Sequence, residues 1–209
     1  MKLTKYVHSC LLVEDAAQAV LIDPGAFSYE AGALQPRDLA RLDAILITHQ
    51  HADHLHPPFI KDLIKAFPDT PVVANQQVAD TLAPEGVKVT DRLPNGITMA
   101  EAAHEALWLD MPVPQNTAFT VFDKLTHPGD SLSLAKTSEI LAWPLASPWG
   151  SFKWAVEALQ RLKPAKVVPI HDWHLSDAGR QWYYQRAAEA CRQLQIEFVP
   201  LATGQPVTV

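Results

Sequence analysis

Three imidazoles and a carboxylate fall within six residues of this chain, at His49, His51, Asp53 and His54 in the run Thr48-His49-Gln50-His51-Ala52-Asp53-His54. Imidazole and carboxylate groups are the ligands of zinc, iron and manganese. In an extended segment, side chains two apart share a side, so His49 and His51 can grip one ion. Asp53 and His54 are adjacent and point apart or forward, which suits a second ion nearby. The apolar run Ala44-Ile45-Leu46-Ile47 leads straight into the cluster.

Two further candidates also stand just after apolar runs. Asp130, in His127-Pro128-Gly129-Asp130, follows Leu125, and His171 follows Val167-Val168-Pro169-Ile170. Ligands gathered at strand ends are what a crevice beside a sheet edge requires.

The elements that must position these groups are short. Strands are expected at Cys10 to Val13 and Ala19 to Ile22, joined by the turn Asp15-Ala16-Ala17-Gln18, the second stopped by Asp23-Pro24-Gly25. Arg37 to Leu42 reads as a short helix before the strand Ala44 to Ile47. Pro57-Pro58 opens a helix through about Phe67, its stripe Phe59, Ile60, Leu63, Ile64 and Phe67. Val72 to Ala74 is a strand, and Asn75 can cap the helix after it.

Strands at Val87 to Val89 and Ile97 to Met99 flank the turn Pro94-Asn95-Gly96, and Ala118 to Phe122 and Leu125 to His127 form a further pair. Ile140 to Ala142 and Lys166 to Ile170 are strands around a helix, Ser151 to Leu162, with Trp154, Ala155, Ala158, Leu159 and Leu162 on one face. Ser176 can cap a helix to about Leu194 striped by Ala178, Trp182, Ala187, Cys191 and Leu194, and Phe198 to Leu201 closes the pattern. Two sheets with helices outside satisfy this α/β alternation. The segment Trp143 to Trp154 holds three tryptophans, suiting either core packing or a loop lining the mouth of a site.

Thr-His-x-His-x-Asp-His after an apolar strand resembles the metallo-β-lactamase superfamily. The early Asp-Pro-Gly, the His-Pro-Gly-Asp and the Val-Pro-Ile-His resemble its L-ascorbate-6-phosphate lactonase-like branch of metal-dependent hydrolases. The resemblance implies one domain over residues 1–209, folded as a four-layer αββα sandwich. It implies a first ion on His49, His51 and His104, a second on Asp53, His54 and His171, and Asp130 bridging both. His104 is placed by order along the chain; Glu101 and Glu105 flank it, and an insert, Ala106 to Gln115, follows. Gly129 would allow the tight turn that aims Asp130.

The resemblance also implies two divalent ions about 3.5–4 Å apart, which lower a bound water's pKa toward about 7 and so supply a hydroxide nucleophile. Asp53 is then both ligand and proton acceptor. Look-alikes place an Asp-Pro-Gly aspartate behind the ligands, so Asp23 is expected to orient an imidazole, with His8 nearby. His174 reads as a leaving-group acid or as a solvated loop residue. Imidazole-rich ligation favours zinc over iron or manganese.

The expected activity is hydrolysis of an ester, lactone or phosphoester bond in a small substrate. The alternatives are a phosphodiesterase or nuclease on the same ions, or a metal-stabilised binding protein without catalysis. Gly129-Asp130-Ser131-Leu132 spells a serine-esterase motif, but it lies too late in the chain and Asp172-Trp173-His174 has the wrong spacing for its partners.

The chain is 209 residues long with 17 Lys and Arg, 23 Asp and Glu and a formal charge of −6. Its basic residues are scattered, which argues against a nucleic-acid partner. No apolar run approaches a membrane span. Met1 to Tyr6 lacks the apolar core of a signal peptide, and only Cys10 and Cys191 occur, read as reduced thiols; a cytoplasmic location is expected. The oligomeric state stays open.

Overall fold

A computed structural model describes all 209 residues, which cluster into two compact units: Met1–Asn95 with Leu201–Val209, and Gly96–Pro200. The first unit runs β1 (Lys2–Lys5), β2 (Leu11–Glu14), β3 (Ala19–Ile22), α1 (Ala26–Glu30), β4 (Ala44–Ile47), α2 (Pro57–Ala66), β5 (Val72–Ala74), α3 (Gln76–Leu82) and β6 (Val89–Thr90). Asp15 makes the expected turn between β2 and β3, its Oδ1 accepting from the backbone N–H groups of Ala17 and Gln18 at 2.7 Å each.

β1, β2 and β3 pair antiparallel, and β3, β4, β5 and β6 pair parallel. β4 is buried along its whole length, as a strand in the middle of a covered sheet must be. Phe59, Ile60 and Leu63 of α2 are buried in a core with Ile45, Ile47 and Val72, and Ile64 and Phe67 pack at its margin. Asn75 caps α3 through its side chain, accepting from Val78 N–H at 3.1 Å.

The second unit runs β7 (Ile97–Glu101), β8 (Thr117–Val121), β9 (Leu125–His127), β10 (Ile140–Pro144), α4 (Phe152–Leu162), β11 (Lys166–Ile170), α5 (Asp177–Leu194) and β12 (Glu197–Phe198). β7, β8 and β9 are antiparallel; β9, β10, β11 and β12 are parallel. Ser151 and Ser176 cap α4 and α5 by accepting from Trp154 and Gly179 N–H. The last strand, β13 (Val207–Thr208), then pairs with β1 in the first unit. The two-sheet α/β architecture expected from the pattern is present, with seven strands in one sheet and six in the other. No helix is long and apolar enough to cross a membrane.

Several local expectations are corrected. Arg37–Leu42 is not a helix: only one 3₁₀ turn forms, Pro36–Asp38, because Leu39 is already extended. The strands expected at Val87 to Val89 and Ile97 to Met99 form as Val89–Thr90 and Ile97–Glu101; the first joins β5 and the second β8, and the boundary between units falls at the turn between them. Trp154 leaves the buried face of α4, where Phe152 and Val156 pack instead, and is 51% exposed. On α5 the buried stripe is Tyr183, Tyr184, Ala187, Cys191 and Leu194. Ala178 and Trp182 point outward, and Trp182 lies under the Arg186 guanidinium at 5.2 Å. Both tryptophans fit the apolar pattern by composition, but neighbouring rings already fill the inward positions. The final strand of the second unit is Glu197–Phe198 rather than Phe198 to Leu201.

Candidate metal centre

In the first unit the donors leave the sheet where parallel strands end. β3 and β4 are in register at Ile22 and Leu46, so Asp23 and Thr48 emerge side by side. Asp23 is fully buried, and its carboxylate is a hub. Oδ1 accepts from Thr48 N–H at 2.8 Å; Oδ2 accepts from Thr48 Oγ1 at 2.8 Å and from His54 Nδ1 at 2.6 Å.

This arrangement assigns proton positions. His54 Nδ1 carries its proton toward Asp23, which leaves the lone pair on Nε2. Thr48 spends its hydroxyl proton on Asp23, so Thr48 Oγ1 accepts from His49 Nδ1 at 3.0 Å, and His49 also presents Nε2. His49 Nε2 stands 3.1 Å from His51 Nδ1. Asn75, at the end of β5, donates to Thr48 O at 3.0 Å and holds the start of the motif from the neighbouring strand.

His8 is buried with φ +65°, and Asp23 has φ +49°; both occupy the left-handed region that L-residues rarely adopt. His8 Nε2 lies 3.0 Å from Asp53 Oδ2, and its ring meets that of His54 edge-on at 5.9 Å. The side chain of Asp53 is 26% exposed, the most open of these contacts. Gly25 is indispensable here for a reason unrelated to φ: a Cβ on it would stand 1.9 Å from the Asp53 carbonyl oxygen.

In the second unit β9, β10 and β11 are parallel, so the segments carrying Asp130, Trp149 and His171 leave the same end of the sheet. Gly129 has φ +58°, the turn conformation expected of it. Asn116 Oδ1 accepts from Asp130 N–H at 3.2 Å, while its Nδ2 donates to Ala102 O and Pro128 O at 2.9 Å each. One amide thus ties the approach to His104 to the turn bearing Asp130.

His104 Nδ1 donates to Glu105 O at 2.7 Å, and Nε2 faces Asp130 Oδ2 at 3.3 Å. His171, also at positive φ (+63°), places Nε2 2.9 Å from Asp130 Oδ1. The Glu105 carboxylate is taken up by the turn that follows Asp130. Its Oε1 accepts from Leu132 N–H and Ser133 Oγ, and Glu101 lies exposed on β7. Beyond His171, Asp172 is buried and accepts from Tyr184 Oη at 2.5 Å, while His174 is exposed. Ser131 is buried and accepts from Ser133 N–H, a turn contact.

The aromatic segment divides three ways. Trp143 is core, its Nε1 bonded to Ala155 O at 2.9 Å; Trp154 is exposed. Trp149 belongs with the donors, because its Nε1 donates to Asp130 Oδ2 at 2.7 Å. Sequence reasoning left this residue unassigned. The usable signal was its place in a Pro- and Gly-containing loop after a strand parallel to those preceding Asp130 and His171.

Each unit therefore holds a largely buried group of imidazole and carboxylate donors, several of them with the back nitrogen or the backbone already anchored. A donor set of this chemistry fits divalent transition ions. A family model described as "Beta-lactamase superfamily domain" matches residues 2–171. Protein Rv0786c of Mycobacterium tuberculosis is 35% identical over 200 residues, which cover 90% of this chain and 92% of that protein. A UPF0173 metal-dependent hydrolase of Opitutus terrae is 27% identical over 233 residues, covering 100% of this chain and 96% of that protein. Among solved structures, the metallo hydrolase Igni18 of Ignicoccus hospitalis shares the fold with a TM-score of 0.69 at 19% identity, covering 100% of this chain and 97% of that one.

Proposed function

We propose, for a chain that belongs to the metallo-β-lactamase superfamily, a metal-dependent hydrolase that opens an ester, lactone or phosphoester bond in a small substrate. The observation that carries this reading is the anchored donor set. His54 and His104 each spend Nδ1 on an oxygen acceptor and so present Nε2 as a ligand atom. In this reading His49, His51 and His104 hold one ion, Asp53, His54 and His171 hold the other, and Asp130 serves both. Zinc is the proposed metal, because imidazole dominates the set. Such ions, when bound, lower the pKa of water and polarise the scissile carbonyl or phosphoryl oxygen.

The chain's own residues supply the rest. Asp53, partly open to solvent, is the proposed proton acceptor, with His8 donating to one of its oxygens. Asp23 orients His54 and, through Thr48, His49. His174, exposed after β11, is the proposed acid for the leaving group. Lactones are the first substrate class to try, following the resemblance to lactonase-like hydrolases. Residues 1–209 are taken as one functional domain, since the family match runs across the boundary at Asn95 and Gly96. The cytoplasm is the proposed location, in keeping with two buried, free cysteines.

The test is elemental analysis of purified protein together with a panel of lactones, thioesters and bis-p-nitrophenyl phosphate. Two ions per chain and turnover abolished by chelation are expected. Turnover indifferent to chelators, or no metal uptake on reconstitution, overturns the reading. Preference for the phosphodiester would assign the chain to phosphodiesterase chemistry, and bound metal with no turnover on any substrate would assign it to binding alone.

A further inference from the structure

We propose that Trp149 is a positioning residue for the metal centre, acting through its indole N–H on the carboxylate of Asp130. The inference rests on the reading of Asp130 as a ligand. Trp149 is buried, and its Nε1 donates to Asp130 Oδ2 at 2.7 Å. Its ring meets His171 edge-on at 5.6 Å and His104 at 6.3 Å, so one side chain touches all three donors of the second unit.

A buried indole needs an acceptor, and Trp143 shows how this chain meets that need for packing alone, with a backbone carbonyl. Trp149 instead takes an ionisable oxygen. The backbone of Asp130 is already held by Asn116 Oδ1 at its N–H and by Glu105 N–H at its carbonyl, at 2.8 Å. Those bonds fix the main chain; the carboxylate itself lies against His104 Nε2 at 3.3 Å, His171 Nε2 at 2.9 Å and the Trp149 N–H. Of these three, only Trp149 is not itself a proposed ligand, so its charge-assisted donation orients the carboxylate from outside the donor set. It also makes the two oxygens unequal: Oδ2 shares its electron density with the indole, while Oδ1, beside His171 Nε2 at 2.9 Å, keeps the stronger donor character.

The experiment compares wild type, Trp149→Phe, Asp130→Ala and the double variant by zinc competition titration and by the absorption spectrum of the cobalt-loaded protein. Trp149→Phe keeps an aromatic ring but loses the N–H and the volume of the five-membered ring. Its metal-free form should still fold cooperatively, at a lower melting temperature, while affinity for at least one equivalent falls about 10- to 100-fold, the usual cost of losing a ligand's hydrogen-bond partner. The cobalt band should shift. In the Asp130→Ala background, Trp149→Phe should cost nothing further.

Wild-type affinity and spectrum in Trp149→Phe, or additive losses in the double variant, would each overturn the proposal while leaving Asp130 a ligand. Full metal retention by Asp130→Ala would overturn both this proposal and the reading beneath it.

Discussion

Asp23 illustrates how much one buried carboxylate can organise. It accepts from Thr48 twice and from His54 once, and through Thr48 it sets the tautomer of His49. Asp23→Asn keeps the shape but removes the charge and one acceptor. Zinc affinity should therefore fall about 10- to 100-fold, measured by competition titration. His104 gives a sharper contrast with its neighbours. His104→Ala should lose about one equivalent of metal and most activity, because its Nε2 faces Asp130. Glu105→Gln should lose neither, since its Oε1 is engaged by the turn at Leu132 and Ser133 and an amide oxygen can still accept there. Metal retained in His104→Ala but lost in Glu105→Gln would exchange the two assignments.

At the level of elements, parallel pairing does the gathering. Side chains that follow β3, β4 and β5 emerge at one sheet end, and so do those that follow β9, β10 and β11. The junction of α1 with the His-rich loop is the tightest point of the first unit. A Cβ at Gly25 would overlap the Asp53 carbonyl and stand 2.7 Å from His54 N, and Ala26 N–H already donates to Ala52 O at 2.7 Å. Gly25→Ala should thus cost at least about 1–3 kcal/mol, the range for overpacking, and should displace the ligand loop. Gly150→Ala is the control, with its nearest neighbour at 3.7 Å, an ordinary contact. Thermal melts of the metal-free proteins and metal content of both would decide this; equal behaviour of the two variants would refute it.

Across the whole molecule the metal should act as a brace. Ions bound only by the folded chain at ~1,000 times their dissociation constants add about 4 kcal/mol. Exhaustive chelation should therefore lower the melting temperature, and an unchanged melt would exclude such tight binding. The two thiols report on integrity independently. Burial pushes Cys10 up to about 12 and Cys191 up to about 11. Neither should react with a thiol reagent at pH 8 in the native protein, and both should react in denaturant. Below the ordinary thiol value of 9.0 both states hold the proton and stability is at its full level. As pH rises from there toward 11 and 12, the unfolded thiols ionise first, so stability declines. Urea melts from pH 7 to 11 would show it.

The His-rich run, the strands on either side of it and the α/β alternation were legible in the chain because they depend on side-chain chemistry and on short periodic patterns, which act over a few residues; His104 has no such pattern and was placed by the resemblance alone. The turn at Gly129 and the caps at Asn75, Ser151 and Ser176 were legible for the same reason. The partners behind the donors were not legible in local pattern: Asp23 and His8 were expected near the donors only through the resemblance, without the atoms they engage, and Trp149 was not assigned a partner. Asp23 lies 31 residues from His54, His8 lies 45 from Asp53 and Trp149 lies 19 from Asp130. The outward turn of Trp154 and Trp182 was equally hidden, since an apolar ring fits a buried stripe by composition until other rings occupy it. Which hydrogen bond a buried polar atom makes depends on strand order and register across the sheet, and these are set only when the core packs; the tertiary structure therefore decided how the donors are held.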